Sequence, residues 1–136
     1  METLADDQAG FIVADVLRIG ADGQHHLVGG ACAACGLKMF PHAAVCPGCM
    51  EERVSIEEMP DEGVLYAFTT VHVARPPWNK PMVVGYVDLS NGVRVFAHLR
   101  GAPTIGGAVR LSTDSVGMSV AAEMLRNFVY AAEVAA

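Results

Sequence analysis

Residues 31–50 read ACAACGLKMFPHAAVCPGCM and hold all four cysteines of the 136-residue chain, as two C-x-x-C pairs ten residues apart. A C-x-x-C turn brings two sulfurs to one side, and two facing turns complete a tetrahedron of thiolates about 2.3 Å from a zinc ion. Cys32, Cys35, Cys46 and Cys49 therefore read as one set of metal ligands. Gly36 follows the first pair, where the turn wants a positive φ, and Pro47-Gly48 shape the second. The intervening LKMFPHAAV is long enough to form a short hairpin and return. Iron suits tetrahedral sulfur as well, but zinc is the expectation for a closed site of this spacing. A thioredoxin-type redox role needs one pair and leaves the other unexplained. A closed four-sulfur site offers no coordination position to water or substrate, so the metal is expected to be structural.

Around this unit the composition sets bounds. With 52% hydrophobic and 18% charged residues, the chain can bury a core, as one domain or as a small module attached to one. The formal net charge of -6, made more negative by four zinc-bound thiolates, argues against a general nucleic-acid binder, which needs cations to displace counterions from phosphates. The lead METLADDQAG is acidic where a secretory signal would be basic, and no apolar run reaches the ~18 residues that span a bilayer. A cytoplasmic protein without a membrane partner is expected, and in that reducing compartment paired cysteines serve metals rather than disulfides.

Along the chain, residues 1–10 read as a polar lead-in, and FIVADVLRIG (11–20) fits strand or helix, with a lean to strand. Asp22-Gly23 marks a hairpin turn, and HHLVGG leads into the cysteines. Beyond them, ERVSIEEMP alternates as a strand does, DEG is a turn, and VLYAFTTVHVA is a β-branched, aromatic strand. RPPWNKP (75–81) carries three prolines, which forbid regular ladder pairing. MVVGYVDL and VRVFAHLR form a hairpin about SNG (90–92). GAPTIGG is a loop, VRLSTD a strand, SVGMSVAA a weak connector, and EMLRNFVYAAEV helix or strand. About five short strands with Gly-rich turns fit a small OB-like barrel. The fold expected is mainly β, with a lead-in and hairpin over 1–26, a rubredoxin-like zinc ribbon over 27–52 and a five-stranded OB-fold barrel over 53–136.

No catalytic constellation emerges. His25 and His26 are adjacent and point to opposite faces of a strand. His42 lies between the cysteine pairs, and His72 and His98 lie on strands without a carboxylate or nucleophile in recognisable spacing. The acidic residues Glu51, Glu52, Glu57, Glu58, Asp61 and Glu62 read as a solvated face, and few aromatics look exposed. Two features point to a partner. The only tryptophan, Trp78, sits in the proline-set loop, where it either meets a partner or folds back over the barrel mouth. The apolar segment Met118–Ala136 either closes the barrel or docks on another subunit.

The ordered combination of motifs resembles the acyl-CoA-associated family of small zinc-ribbon plus OB-fold proteins. Its ribbon is matched by Cys32, Cys35, Gly36, Phe40, Pro41, Cys46, Pro47 and Cys49, and its first strand by Gly63, Thr69 and Val71. Its next strand is matched by Pro81 to Leu89, and its later turn by Ile105-Gly106. Met82 replaces the usual aromatic after Pro81, Met50 stands where many members have glycine, and Ala33-Ala34 replace polar residues of the first turn. The resemblance implies a non-catalytic subunit of a hetero-oligomer whose thiolase-like catalytic subunit supplies the active site and binds most of the acyl-CoA. Biosynthetic thiolases, phloroglucinol acyltransferases and benzoylsuccinyl-CoA thiolase are the companions it suggests, with thiolase-like aldolases of steroid side-chain degradation as an alternative. On this reading Arg75 and Lys80 meet CoA phosphates or the partner, beside Trp78 and Asn79, and Trp78 stacks on adenine or fills a partner pocket. Two other readings remain: a single-stranded nucleic-acid module, because ribbons and OB barrels both serve there, and a hydrolase using His72 or His98.

Overall fold

The computed structural model describes residues 16–75, 77–118 and 123–132, and these residues form nine β-strands and no α-helix. Residues 1–15 lie outside this range, and in the described half of 11–20 Leu17–Ile19 is strand β1. It pairs antiparallel with β2 (His25–Cys32) through the expected turn, where the Gln24 amide bonds the Asp22 carboxylate and Gly23 takes a φ of 78°. β2 then runs between β3 (Lys38–Met39) and β4 (Val54–Glu58), its register setting Gly30 opposite both Met39 and Ile56. Val54–Glu58 is thus a strand, as its alternation predicts, and its partner is β2 of the ribbon sheet.

The barrel strands are β5 (Glu62–Val71), β6 (Met82–Leu89), β7 (Arg94–Arg100), β8 (Ala108–Met118) and β9 (Met124–Ala132). They close in the order β5-β6-β7-β9-β8, with β8 pairing back to β5. All neighbours are antiparallel except β7 and β9, and the five-stranded closure with one parallel seam is that of an OB barrel. Of the tail, residues 119–122 and 133–136 lie outside the described range, and Met124–Ala132 is a strand because its apolar side chains complete this closure: Phe128, Val129 and Tyr130 are buried between β7 and β8. SVGM is no connector. Residues 115–118 continue β8 across a register irregularity and pair with Arg126, Leu125 and Met124.

Alternation along the strands fills the interior with Leu65, Val87, Val95, Leu99 and Val109. Leu17, Leu27 and Met59 join that cluster from the ribbon side, and Phe40 meets Phe128 edge-on at 5.9 Å. The ribbon sheet therefore seals one part of the barrel core. By contrast, the ribbon's own buried cluster is only Cys32, Met39 and Cys46, too little to hold a fold without a cross-link.

Candidate metal centre and the barrel surface

The two cysteine turns are built alike. In the first, the Gly36 amide bonds the Cys32 carbonyl at 2.9 Å and the Cys32 amide bonds the Leu37 carbonyl at 2.9 Å. In the second, Met50 bonds Cys46 at 2.9 Å and Cys46 bonds Glu51 at 2.8 Å in the same pattern. Both turns need a left-handed residue after the second cysteine. Gly36 takes a φ of 81° at no cost, whereas Met50 takes 68° as the sole non-glycine with positive φ among the described residues.

These turns bring four sulfurs within 4.8 Å of one another, with Cys32–Cys49 and Cys35–Cys46 Sγ separations of 3.6 Å. A tetrahedron with bonds of about 2.3 Å has edges of about 3.8 Å, so the cage has the dimensions a zinc ion requires. At 3.6 Å neither pair is a disulfide. Amides aim at the sulfurs as well, Cys35 N–H to Cys32 Sγ at 3.5 Å and Gly48 N–H to Cys46 Sγ at 3.3 Å. The Cys35 amide holds the Cys32 thiol down to about 6, and the Cys49 amide acts likewise to lower Cys46. Backbone dipoles thus favour the thiolates of Cys32 and Cys46, while burial and the neighbouring thiols raise Cys35 and Cys49. The tip around the cage is apolar, with Leu37, Val45 and Met50 exposed.

The histidines separate. His42 is exposed and its Nε2 lies 3.2 Å from the Val54 carbonyl oxygen, while His72 is exposed beyond the end of β5. His26, which no spacing singled out, is buried at the seam between ribbon and barrel. Its Nδ1 lies 2.8 Å from Asp61 and its Nε2 3.1 Å from Asp22, a carboxylate clamp on both ring nitrogens. The Asp61 hydrogen bond, opposed by burial and helped by Asp22, raises its pKa to about 8. The turn at Asp22-Gly23 was the local signal for half of this clamp; Asp61 is far off in sequence. The acidic cluster is accordingly more than a solvated face, because Asp61 holds His26, Glu57 bonds Lys38 at 2.6 Å and Glu62 bonds Arg110.

In the proline-set loop, Arg75, Asn79 and Lys80 are exposed. Trp78 is half-buried, its ring 5.5 Å from that of His98. A bridge to Gly117, the Asn79 amide on the Val116 carbonyl and the Met118 amide on the Pro77 carbonyl, both 2.9 Å, pin this strap to β8. His98 is half-buried beneath it, and burial, then Arg100, lowers its pKa. The expectation of few exposed aromatics fails: Tyr66, Phe68, Tyr86 and Phe96 are all exposed. Alternation in RVFAHLR, which sets Phe96 among Arg94, His98 and Arg100, is the signal that could have found this for Phe96.

The family model described as the ChsH2 rubredoxin-like zinc ribbon domain matches residues 21–54, and that described as the ChsH2 C-terminal OB-fold domain matches residues 57–124. This chain belongs to the ChsH2 family. Its ChsH2 ribbon match takes in all four cysteines, and its ChsH2 barrel match takes in β5 to β8. The chain is 35% identical over 94 residues to benzoylsuccinyl-CoA thiolase subunit BbsA of Thauera aromatica, covering 68% of this chain and 65% of that protein. It is 30% identical over 92 residues to the BbsA subunit of Geobacter metallireducens, covering 67% and 62%. The match thus spans less than two thirds of each relative's length. Among solved structures, the Ltp2-ChsH2(DUF35) aldolase aligns with a TM-score of 0.65 at 27% identity, over 80% of this chain and 86% of that one. The family resemblance read from the motifs is thereby borne out.

Proposed function

We propose that this protein is a non-catalytic accessory subunit of a thiolase-type acyl-CoA enzyme. It holds a structural Zn²⁺ on Cys32, Cys35, Cys46 and Cys49, docks on a catalytic subunit and helps to form the acyl-CoA channel. The observation that carries the reading is the 35% identity to a thiolase subunit. The chemistry of the chain agrees: a closed sulfur cage has no position for substrate, and His26 is locked between two aspartates. The loop residues Arg75, Trp78, Asn79 and Lys80 approach the CoA or the partner in this reading. In the cell the complex is cytoplasmic.

The test is co-expression with a thiolase-like catalytic subunit from the same organism, followed by co-purification and acyl-CoA cleavage assays. A stable complex with activity that depends on this chain is expected. Full activity of the catalytic protein alone, with no complex on gel filtration, refutes the proposal. A second reading, an accessory subunit of a thiolase-like aldolase, is favoured by the similarity to the Ltp2-ChsH2(DUF35) aldolase. The two differ in stoichiometry: thiolytic cleavage consumes one free CoA per turnover, whereas retro-aldol cleavage consumes none.

A further inference from the structure

On β6 and β7, the inward residues Val87, Val95, Ala97 and Leu99 are core, so the outward residues should be polar. Asp88, Arg94, His98 and Arg100 are polar, but Tyr86 and Phe96 between them are not. Tyr86 and Phe96 stand opposite each other across the two strands, with ring centroids 5.1 Å apart and exposures of 45% and 57%. Tyr66 of β5 is 54% exposed and carries the Arg94 guanidinium 3.7 Å from its ring centre. Towards the strap, Phe96 continues into an apolar cleft of about 330 Å³ lined by Val71, Trp78, Met82, Val84 and His98. An exposed aromatic cluster of this kind on a barrel's outer face marks an interaction site.

We infer that the outer face of β5–β6–β7 is the barrel's docking face, and that its occupant is an apolar segment of the catalytic subunit. The inference rests on the accessory-subunit reading above and adds to it which surface is used. Area supports it: three rings about half-exposed, with Val64 and the strap end, offer roughly 400–500 Å² of apolar surface, over half of the ~800 Å² that each side of a standard interface buries. Aromatic clusters of this kind supply binding hot spots, and the Tyr66 and Tyr86 hydroxyls supply directional contacts at their edges. Charge selects the occupant. OB barrels also bind single strands by stacking bases on this side, but such binding needs cations free for the phosphates. Arg94 is bonded twice to Asp88, at 2.6 and 3.0 Å, and Arg100 to Asp114 at 2.8 Å, so the cations among the outward residues of β6 and β7 are already neutralised. A neutral aromatic face on a chain of net charge -6 complements an apolar protein segment and repels a polyanion.

The test titrates the zinc-loaded chain and its Phe96→Ala and Tyr86→Ala variants against a thiolase-like catalytic subunit from the same organism. Thermal unfolding of each lone variant serves as the folding control, with Glu52→Ala as a surface control. Each aromatic substitution is expected to weaken the complex by about 30-fold or more while Glu52→Ala leaves it unchanged. Variants that keep their fold and bind within threefold of the unaltered chain overturn the inference and leave the accessory-subunit reading standing. No binding by the unaltered chain overturns both. A self-association of the unaltered chain on gel filtration that Phe96→Ala abolishes reassigns the face to a second copy. Micromolar binding of an oligo-dT strand at physiological salt that Phe96→Ala abolishes reassigns it to nucleic acid. Either reassignment overturns the inference.

Discussion

Gly117→Ala tests whether the tryptophan strap is seated on the barrel as described. A Cβ at Gly117 would lie 2.1 Å from the Pro77 carbonyl oxygen and 2.8 Å from its carbonyl carbon, both rigid backbone atoms. The strap must therefore retreat by about an ångström to reach ordinary contact distance. That movement gives up the Asn79–Val116 and Met118–Pro77 hydrogen bonds, each worth about 1 kcal/mol net. The expected loss is about 2 kcal/mol, or roughly 6–10 °C in Tm for a domain of this size. Trp78 is the chain's only tryptophan and it stacks on His98, so its fluorescence reports on the strap alone. Its emission should shift to the red as the indole meets water. Burial is the main cause of the lowered His98 pKa, so in the variant His98 should titrate closer to an ordinary histidine, which NMR can follow. A variant with unchanged emission, unchanged His98 titration and a Tm within ~2 °C of the unaltered chain would refute the reasoning.

The His26 clamp makes stability depend on pH. Its pKa of about 8 lies above the unfolded value of 6.5, so its contribution is complete below pH 6.5 and is lost as pH rises through 8. The shift corresponds to about 2 kcal/mol at most, reduced to roughly 1 kcal/mol because Asp22 is solvent-exposed. Denaturant titrations of zinc-loaded protein should show His26→Gln losing most of its deficit between pH 6.5 and 9; a deficit independent of pH would contradict the clamp. Chelation of zinc should abolish amide-exchange protection of β2 and β3, since the ribbon's own core is minimal, and retained protection would show that the metal is dispensable. At Met50, glycine should stabilise the ribbon by about 0.5–1 kcal/mol, because relief of a left-handed L-residue at ~1–2 kcal/mol outweighs glycine's added unfolded-state freedom of ~0.5–1 kcal/mol. Valine there should destabilise it, and competition with a zinc indicator should rank Gly above Met above Val.

Much of this architecture depends on short-range chemistry, and that part is legible from the residues alone. The cysteine spacing, Gly36, and the turns at Asp22-Gly23 and Ser90–Gly92 act within a few residues, so they specify the metal cage and two hairpins before any long-range contact forms. The β-branched, aromatic run before the proline loop likewise predicts β5. Longer-range features follow another logic. EMLRNFVYAAEV has apolar residues at spacings that suit helix and strand, and it becomes β9 because β7 and β8 leave a gap in the closing barrel. His26 gains its second carboxylate from Asp61 only when β2 meets the start of the barrel.

The same limit governs the surface. Alternation in RVFAHLR sets Phe96 among Arg94, His98 and Arg100 and opposite Val95, Ala97 and Leu99, but it does not show that Tyr66, Tyr86 and Phe96 gather into one exposed cluster. Sequence by itself determined a zinc ribbon, a set of barrel strands and an acidic net charge. Tertiary structure alone decided that Tyr66, Tyr86 and Phe96 gather on one exposed face, that Trp78 straps onto β8, and that His26 is clamped. Each of those outcomes depends on which residues distant in sequence a closing barrel brings into reach, a choice made by global packing and absent from local pattern.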